Sequence, residues 1–332
     1  MSRTEQVNQW IREQFANRPL NIEPASADAS FRRYFRVTLQ DDQSTRIVMD
    51  APPEHEDCKP FLHVARLFHE AGAHVPEVLA EDLTQGFLLL SDLGNTTYLS
   101  ALTPENADSL YADALGALAC IQKASKPDVL PEYNQERLLR EMELFPVWYV
   151  NRHKGVTLSE AETTTLYEVF EQILKVNLAE PKVFVHRDFH SRNLMTSQPN
   201  PGVLDFQDAV YGPITYDLAS LFKDAYIEWD EERTIDWLVL YWEAARSIGL
   251  PVRAEFADFH RDYEFMGAQR HIKVLGIFAR LYHRDGKDGY LKDLPLVLKY
   301  LKKTSQRYRE LFPLARLLEK LDPEITDSGF SF

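Results

Sequence analysis

The chain has 332 residues, of which 45% are hydrophobic and 27% charged, and its formal net charge is −14. This length favours two packed lobes over a single domain, and this composition excludes a disordered chain. The acidity argues against nucleic acid as the main partner, and two cysteines, Cys58 and Cys120, without a C-x-x-C spacing suggest neither a disulfide framework nor a structural zinc site.

The opening "MSRTEQVNQWIREQF" is polar, with Val7, Trp10, Ile11 and Phe15 at helical spacing, and it lacks the apolar stretch and cleavage site of a signal peptide. No apolar run approaches the ~20 residues that span a bilayer, so the expected location is the cytoplasm, with no membrane partner. "NIEPASADASFRRYFRVTL" and "STRIVMDA" alternate apolar and polar residues as half-buried strands do. "KPFLHVARLFHEAG" reads as a helix, with Phe61, Leu62, Ala65 and Phe68 on one stripe and Gly72 at its end. "VPEVLAED" and "GFLLLSDLG" read as two further strands around a turn at Thr84–Gly86. Residues 1–93 are thus expected to form a small antiparallel sheet with a helix laid on it.

From Thr103 the apolar period changes to that of a helix. Thr103-Pro104-Glu105 reads as a helix start, with Leu110, Ala114, Leu118 and Ile121 as the buried face. Ser159 to Glu162 fits a capping box, opening a helix through Leu166, Phe170, Ile173 and Leu174. A short β island at 183–207 is followed by almost continuous helix to Leu321. Residues 94–332 are therefore expected to form a large, mostly helical lobe carrying one β-hairpin, in an α+β, bilobal chain.

Within the β island, Val183-Phe184-Val185 reads as a buried strand that ends in His186, Arg187, Asp188 and His190. Asn193-Leu194-Met195 begins a second strand, "TSQPNPG" is a turn, and Val203-Leu204 returns into Asp205. H-R-D-x-x-x-x-N is satisfied by His186, Arg187, Asp188 and Asn193, with Asp205-Phe206-Gln207 beginning twelve residues after the asparagine. This spacing fits the template for kinase phosphoryl transfer. Asp188 would align the attacking hydroxyl and accept its proton. Asn193 and Asp205 would hold Mg²⁺ through a neutral and an anionic oxygen, the hard donors that metal takes alongside substrate phosphates.

Two other readings compete. His186, Asp188 and His190 at alternate positions are a possible 2-His-1-carboxylate metal site, but oxygenases of that kind normally sit in an all-β scaffold whereas most of this chain reads as helix, and the site would leave Asn193 and Asp205 without a role. A purely structural polar turn is the second, at the cost of burying ionisable groups that need partners. His186 is expected to brace the loop, and His190 has no assigned role.

"HRDFHSRNLM", "GVLDFQDAVYGPITYDLASL" and "FLLLSDLG" together resemble the aminoglycoside phosphotransferase family of protein-kinase-like small-molecule kinases. The resemblance implies a protein-kinase-like fold, ATP and Mg²⁺ as cofactors, and Asp217 as the aspartate that braces the catalytic loop. Leu90, Ser91 and Leu93 of the lobe-joining strand would lie beside adenine, with GTP as the alternative nucleotide. "ELFPVWYVNRH" and the tract from Gln269 through "KVLGIFARLYHRDGK" look more specifically like the bacterial anomeric sugar kinases. That likeness implies an amino-sugar acceptor phosphorylated at C1 in cell-wall recycling; no obligate protein partner is evident from the sequence. Another hydroxyl compound (an aminoglycoside, or a choline-like or homoserine-like alcohol) and a nucleotide-binding pseudokinase-like module are the alternatives. A protein kinase is disfavoured, because only eleven residues separate Asp205 from Asp217 and no A-P-E follows.

The pattern is broken in the first lobe. No glycine precedes Gly72, so "ASADASFRR" stands where a Gly-rich phosphate loop would be, with Ser26 or Ser30 as possible hydroxyl donors. The strand lysine is also missing, since "RIVMDAPP" offers Met49 and Asp50 there. Arg32 or Arg33 is expected to supply the missing cation, because alternate residues of that strand face opposite sides. For a lactyl carboxylate on the acceptor, Arg152, Arg270, His271 and Arg280 are the candidate partners, with Arg270 and Arg280 close to three helical turns apart.

Overall fold

The computed structural model describes residues 1–27 and 31–323, with Ser26 and Ala27 described by their backbone alone. In chain order the elements are α1 (Arg3–Gln14), β1 (Leu20–Ala27), β2 (Arg33–Leu39), β3 (Thr45–Asp50), α2 (Cys58–Glu70), β4 (Val78–Asp82) and β5 (Phe87–Ser91). Then come α3 (Tyr98–Ala101), α4 (Ala107–Lys123), α5 (Gln135–Met142), a π-helical segment (Phe145–His153), α6 (Glu160–Leu178), β6 (Lys182–Val185), β7 (Leu194–Met195), β8 (Gly202–Val203) and β9 (Val210–Pro213). The remaining helices are α7 (Tyr216–Phe222), α8 (Glu231–Ser247), α9 (Phe256–Asp285), α10 (Leu294–Arg307) and α11 (Phe312–Leu321). No described helix is long and apolar enough to cross a membrane.

Two compact units result. One comprises Met1–Ala124 with Arg192–Ala209, and the other comprises Ser125–Ser191 with the chain from Val210 onward. The units are therefore not a single cut of the chain near residue 93. The β7–β8 hairpin belongs with the first unit because its turn is anchored there. Asn200 Nδ2 donates to Tyr98 Oη (3.0 Å) and Asp113 Oδ2 (2.6 Å), and His74 Nδ1 lies 2.6 Å from the Pro199 carbonyl oxygen.

The first unit is built on a five-stranded antiparallel sheet in the order β1-β2-β3-β5-β4. α1 is held at its start by the Ser2–Glu5 capping box. It buries Val7, Trp10 and Ile11 against Val37, Val48, Phe87 and Leu89. Because strand side chains alternate, that face of the sheet also carries Arg33, Phe35 and Asp50, while Tyr34, Arg36, Ile47, Met49, Leu88 and Leu90 point to the other. α2 starts with the Asp57 side chain accepting from Lys59 N–H, and Gly72 beyond its end adopts φ +91, as the sequence predicts of a helix stop. Thr103 does not cap α4. Its N–H donates to Asn106 Oδ1 and the helix begins one residue later, with Tyr111 in the buried stripe where Leu110 was expected.

In the second unit the 30-residue α9 runs through the core, and nineteen of its residues are buried. Gly276 lets it meet the start of the π-helical segment, since a Cβ there would stand 2.6 Å from Leu144 C and 2.7 Å from Phe145 N. These are backbone atoms and cannot rotate away. Gly276→Ala is expected to cost about 1–3 kcal/mol through overpacking. Urea unfolding checks this, and an unchanged midpoint would mean the helix can shift freely. The Ser159–Glu162 capping box is present at the head of α6, as predicted. Strand β6 pairs antiparallel with β9, which the sequence reading did not separate from the helices, and not with β7.

Candidate active site

β6 carries three buried apolar residues and is followed directly by His186, itself buried. The loop beyond it is held by the carboxylate of Asp217, on the first turn of α7. Asp217 Oδ2 accepts from His186 N–H (2.7 Å) and Oδ1 from Arg187 N–H (3.0 Å). Burial pushes the Asp217 carboxyl up to about 7, against those two donors and Arg270. Arg187 sits at φ +79, a conformation that costs a non-glycine residue of order 1–3 kcal/mol and persists only when the surroundings enforce it. The His186 ring completes the brace, with Nδ1 3.2 Å from Asp188 N.

Asp188 follows with its side chain 37% exposed. Burial alone would raise its carboxyl, but Lys273, Arg270, His190 and Arg187 outweigh that and hold it well below the usual carboxylate range. Arg270 Nη1 stands 3.9 Å from Asp188 Oδ1 and donates to the Arg187 carbonyl oxygen at 3.0 Å. Glu141 of α5, 14% exposed, gathers the other cations: Arg187 at 2.6 Å and Lys273 at 3.1 Å, with the Tyr133 hydroxyl also donating to it. Lys273 Nζ reaches Tyr216 Oη at 3.0 Å. A second brace lies at the loop's other end, where buried Asp224 accepts from Ser191 N–H (3.0 Å) and Tyr226 N–H (3.1 Å).

The first unit carries the other pair. Asn193 and Asp205 flank the β7–β8 hairpin, where Leu204 N–H donates to the Asn193 carbonyl (2.9 Å) and Asn193 Nδ2 to Asp205 Oδ2 (3.3 Å). Asp205 is at φ +61, a second enforced strain, and its Oδ1 accepts from Gln207 Nε2 at 2.9 Å. Phe206 anchors this residue by packing on Phe61 and Phe68 of α2, with centroids 4.9 and 6.0 Å away. Asn193 Nδ2 and Asp205 Oδ2 thus place an amide beside a carboxylate, two groups whose side-chain oxygens are hard donors. That donor set fits Mg²⁺, which takes hard oxygens and few carboxylates. Among the described residues no three His, Cys, Asp or Glu side chains converge as a metal cage.

Of the expected phosphate cations, Arg33 lies on the α1 face, where it and Arg3 clasp the fully buried Asp50. Arg32, the preceding residue, is 3.7 Å from Glu56. Met49, buried, occupies the strand position opposite to the α1 face. Ser30 lies outside the described residues, and Ser26 is placed by its backbone opposite Tyr34. Leu90 is buried, Ser91 bonds Glu77 through its N–H and its Oγ, and Leu93 packs on Gly202. A cleft of ≈ 430 Å³ opens beside Ser91 and Leu93, walled also by His69, His74, Glu77 and Thr196. None of Asp188, Asn193 or Asp205 lines it.

Residues 21–257 match the model of the phosphotransferase enzyme family. The chain belongs to that family. A Neisseria meningitidis serogroup B protein named N-acetylmuramate/N-acetylglucosamine kinase is 48% identical to this phosphotransferase over 337 residues, covering all of both chains. A Pseudomonas aeruginosa protein of the same name is 52% identical over 304 residues, 91% of this chain and 89% of its own. Among solved structures, ADP-bound aminoglycoside phosphotransferase APH(2'')-Ib superposes with a TM-score of 0.59 at 15% identity, covering 90% of this chain and 98% of its own. Choline kinase LicA from Streptococcus pneumoniae gives 0.64 at 12% identity, covering 90% and 99%. The fold is protein-kinase-like, as the family resemblance implied.

The acceptor candidates of the phosphotransferase separate in the structure. Arg270 stands beside Asp188, whereas Arg152 is exposed on the π-helical segment. His271 is 1% exposed, stacked on Tyr300 and 3.2 Å from the Lys223 carbonyl oxygen. It offers no surface to an acceptor, because one residue along a helix turns the side chain by about 100° from its neighbour. Arg280 is half-buried, and its Nε has no hydrogen-bond partner among the described residues. Ten residues fall about 80° short of three turns, so Arg280 follows the stripe of Lys273 and not that of Arg270. Glu141, Lys273 and Asp224 escaped the sequence reading: Lys273 fell inside a quoted tract, but nothing in the spacing of Glu141 or Asp224 marks either.

Proposed function

We propose that this phosphotransferase is an ATP- and Mg²⁺-dependent sugar kinase that phosphorylates the C1 hydroxyl of N-acetylmuramate and N-acetylglucosamine, as a cytoplasmic step in cell-wall recycling. The observation that carries the reading is Asp188: a partly exposed carboxylate, kept ionised by Arg270, Lys273 and Arg187, at the tip of a loop braced from both ends. The names of the relatives that match along the whole chain support the acceptor class.

In this reading the C1 oxygen attacks the terminal phosphorus, the bond from that phosphorus to the bridging oxygen breaks, and ADP leaves. Asp188 aligns the hydroxyl and takes its proton. A hemiacetal hydroxyl is more acidic than an ordinary alcohol, which suits so weak a base. Mg²⁺ bound by Asn193 and Asp205 would neutralise phosphate charge; the protein's own contribution is positioning and electrostatics. Residues 1–93 would cover the nucleotide, with Leu90, Ser91 and Leu93 beside adenine, and residues 94–332 would supply the acceptor side. Arg33 is committed to Asp50 on the α1 face, so Arg32 is the better source of the missing phosphate cation. Arg32→Ala is expected to weaken ATP binding about tenfold, the worth of one charge-assisted contact, and Arg33→Ala hardly at all. Titration calorimetry with a non-hydrolysable analogue checks this, and wild-type affinity in the Arg32 variant refutes it.

An ADP-release screen of amino sugars, aminoglycosides, choline-like and homoserine-like alcohols tests the assignment. Turnover confined to N-acetylated amino sugars is expected. Turnover with the other alcohols only would refute the acceptor, and nucleotide binding with no turnover would favour a binding module.

A further inference from the structure

His190, two residues beyond Asp188, has no part in the chemistry so far, yet it is fixed with care. Its N–H donates to the Asp188 carbonyl oxygen at 3.0 Å, and its ring meets Tyr226 edge-on, with centroids 5.5 Å apart at 76°. Tyr226 in turn stacks on Phe278 of α9 (6.3 Å, 29°), and Phe278 packs on Tyr290 (5.0 Å, 42°). Four rings thus make a chain of successive contacts that begins two residues beyond Asp188. Phe278 is buried as the backing, while His190 and Tyr226 keep part of their surface open. Asp224 fixes these rings to the loop, because its two oxygens hold the N–H of Ser191 next to His190 and the N–H of Tyr226 itself.

A row of partly open rings beside a reacting centre suits two kinds of ligand, a cation or the C–H face of a sugar ring. The acceptor proposed above decides between them: the ring of an N-acetylated amino sugar carries no positive charge and presents C–H faces, and Arg270, Arg187 and Lys273 already serve Asp188 and Glu141 as counter-charges. We propose that Tyr226, flanked by His190 and backed by Phe278, is the platform on which the pyranose of the acceptor lies, and that Asp224 is the positioning residue that keeps it in register with Asp188. This rests on the sugar-kinase reading above. Apolar C–H groups laid on a ring hold an acceptor without distinguishing ground state from transition state, so the contribution falls on acceptor affinity.

Steady-state kinetics with N-acetylglucosamine and N-acetylmuramate test it, on wild type, Tyr226→Ala, Tyr226→Phe and Asp224→Asn, with the KM for ATP and thermal melting measured beside them. Tyr226→Ala is expected to raise the acceptor KM about tenfold, the worth of one aromatic contact, with the KM for ATP unchanged. Tyr226→Phe should restore wild-type values, since the ring face and not the hydroxyl is used. Asp224→Asn should raise the acceptor KM and lower kcat together. An acceptor KM in Tyr226→Ala equal to wild type, or a fall in kcat alone, overturns the platform. If wild type turns over no amino sugar, the function assigned above fails first, so the two failures are told apart.

Discussion

Asp188→Asn is expected to lower kcat on the sugar acceptor by about 10²–10⁴, the usual worth of general-base assistance, with ATP affinity little changed. The amide keeps the shape and can still accept one hydrogen bond from the hydroxyl, but it cannot receive the proton. Because Arg270, Lys273 and Arg187 keep Asp188 ionised well below neutrality, kcat/KM should show no acid limb from this group at ordinary assay pH. The linkage has the matching sign: stability drawn from its ionised form is present above the unfolded carboxylate range and is lost as pH falls through the depressed folded value. Rapid-quench measurement of the chemical step separates loss of chemistry from loss of binding. A variant within a few-fold of wild type would mean that Asp188 is not the base.

The largest effect on stability is expected at Glu141. Its carboxylate is the shared partner of Arg187, Lys273 and the Tyr133 hydroxyl, all largely or wholly out of water. Burial would raise its carboxyl, but Lys273 and Arg187 outweigh that and lower it. Glu141→Ala leaves two buried cations without their counter-charge, a change that costs about 3–5 kcal/mol when one partner of a buried pair is removed. Glu141→Gln should lie between, because it keeps hydrogen bonds and loses charge. Chemical denaturation of the three proteins reads this directly. Arg187 also carries the strained φ of the loop that holds Asp188, so the glutamine variant should lose kcat as well as stability. Equal midpoints for wild type and Glu141→Ala would show that Arg187 and Lys273 find water or other partners at no cost.

Much of this layout can be read from residue patterns, and the parts that cannot have physical causes. Asp188, Asn193 and Asp205 stand out because a fixed spacing along one strand and one hairpin carries them. Arg32 and Arg33 stay alternatives in the sequence, since alternation along an extended stretch does not say which side α1 covers; Val37 and Val48 packing on Trp10 decides that for Arg33. Strand β9 was missed because four residues ending in Gly-Pro give too short a period to register, and its partner β6 lies some 25 residues away in sequence. Glu141, Lys273, Asp224 and Tyr226 lie in three separate helical or loop segments. Their convergence on the loop from Arg187 to Ser191 is a product of packing around α9, which no local pattern encodes. His271 was misjudged for the complementary reason: neighbours on a helix share a sequence tract but face different surroundings.

The position of the transferred phosphate is the most direct test of the whole account. After turnover of N-acetylmuramate with ATP, proton–phosphorus correlation NMR should show the new phosphate coupled to the anomeric proton at C1. Coupling to any other ring proton, or to none, would contradict it.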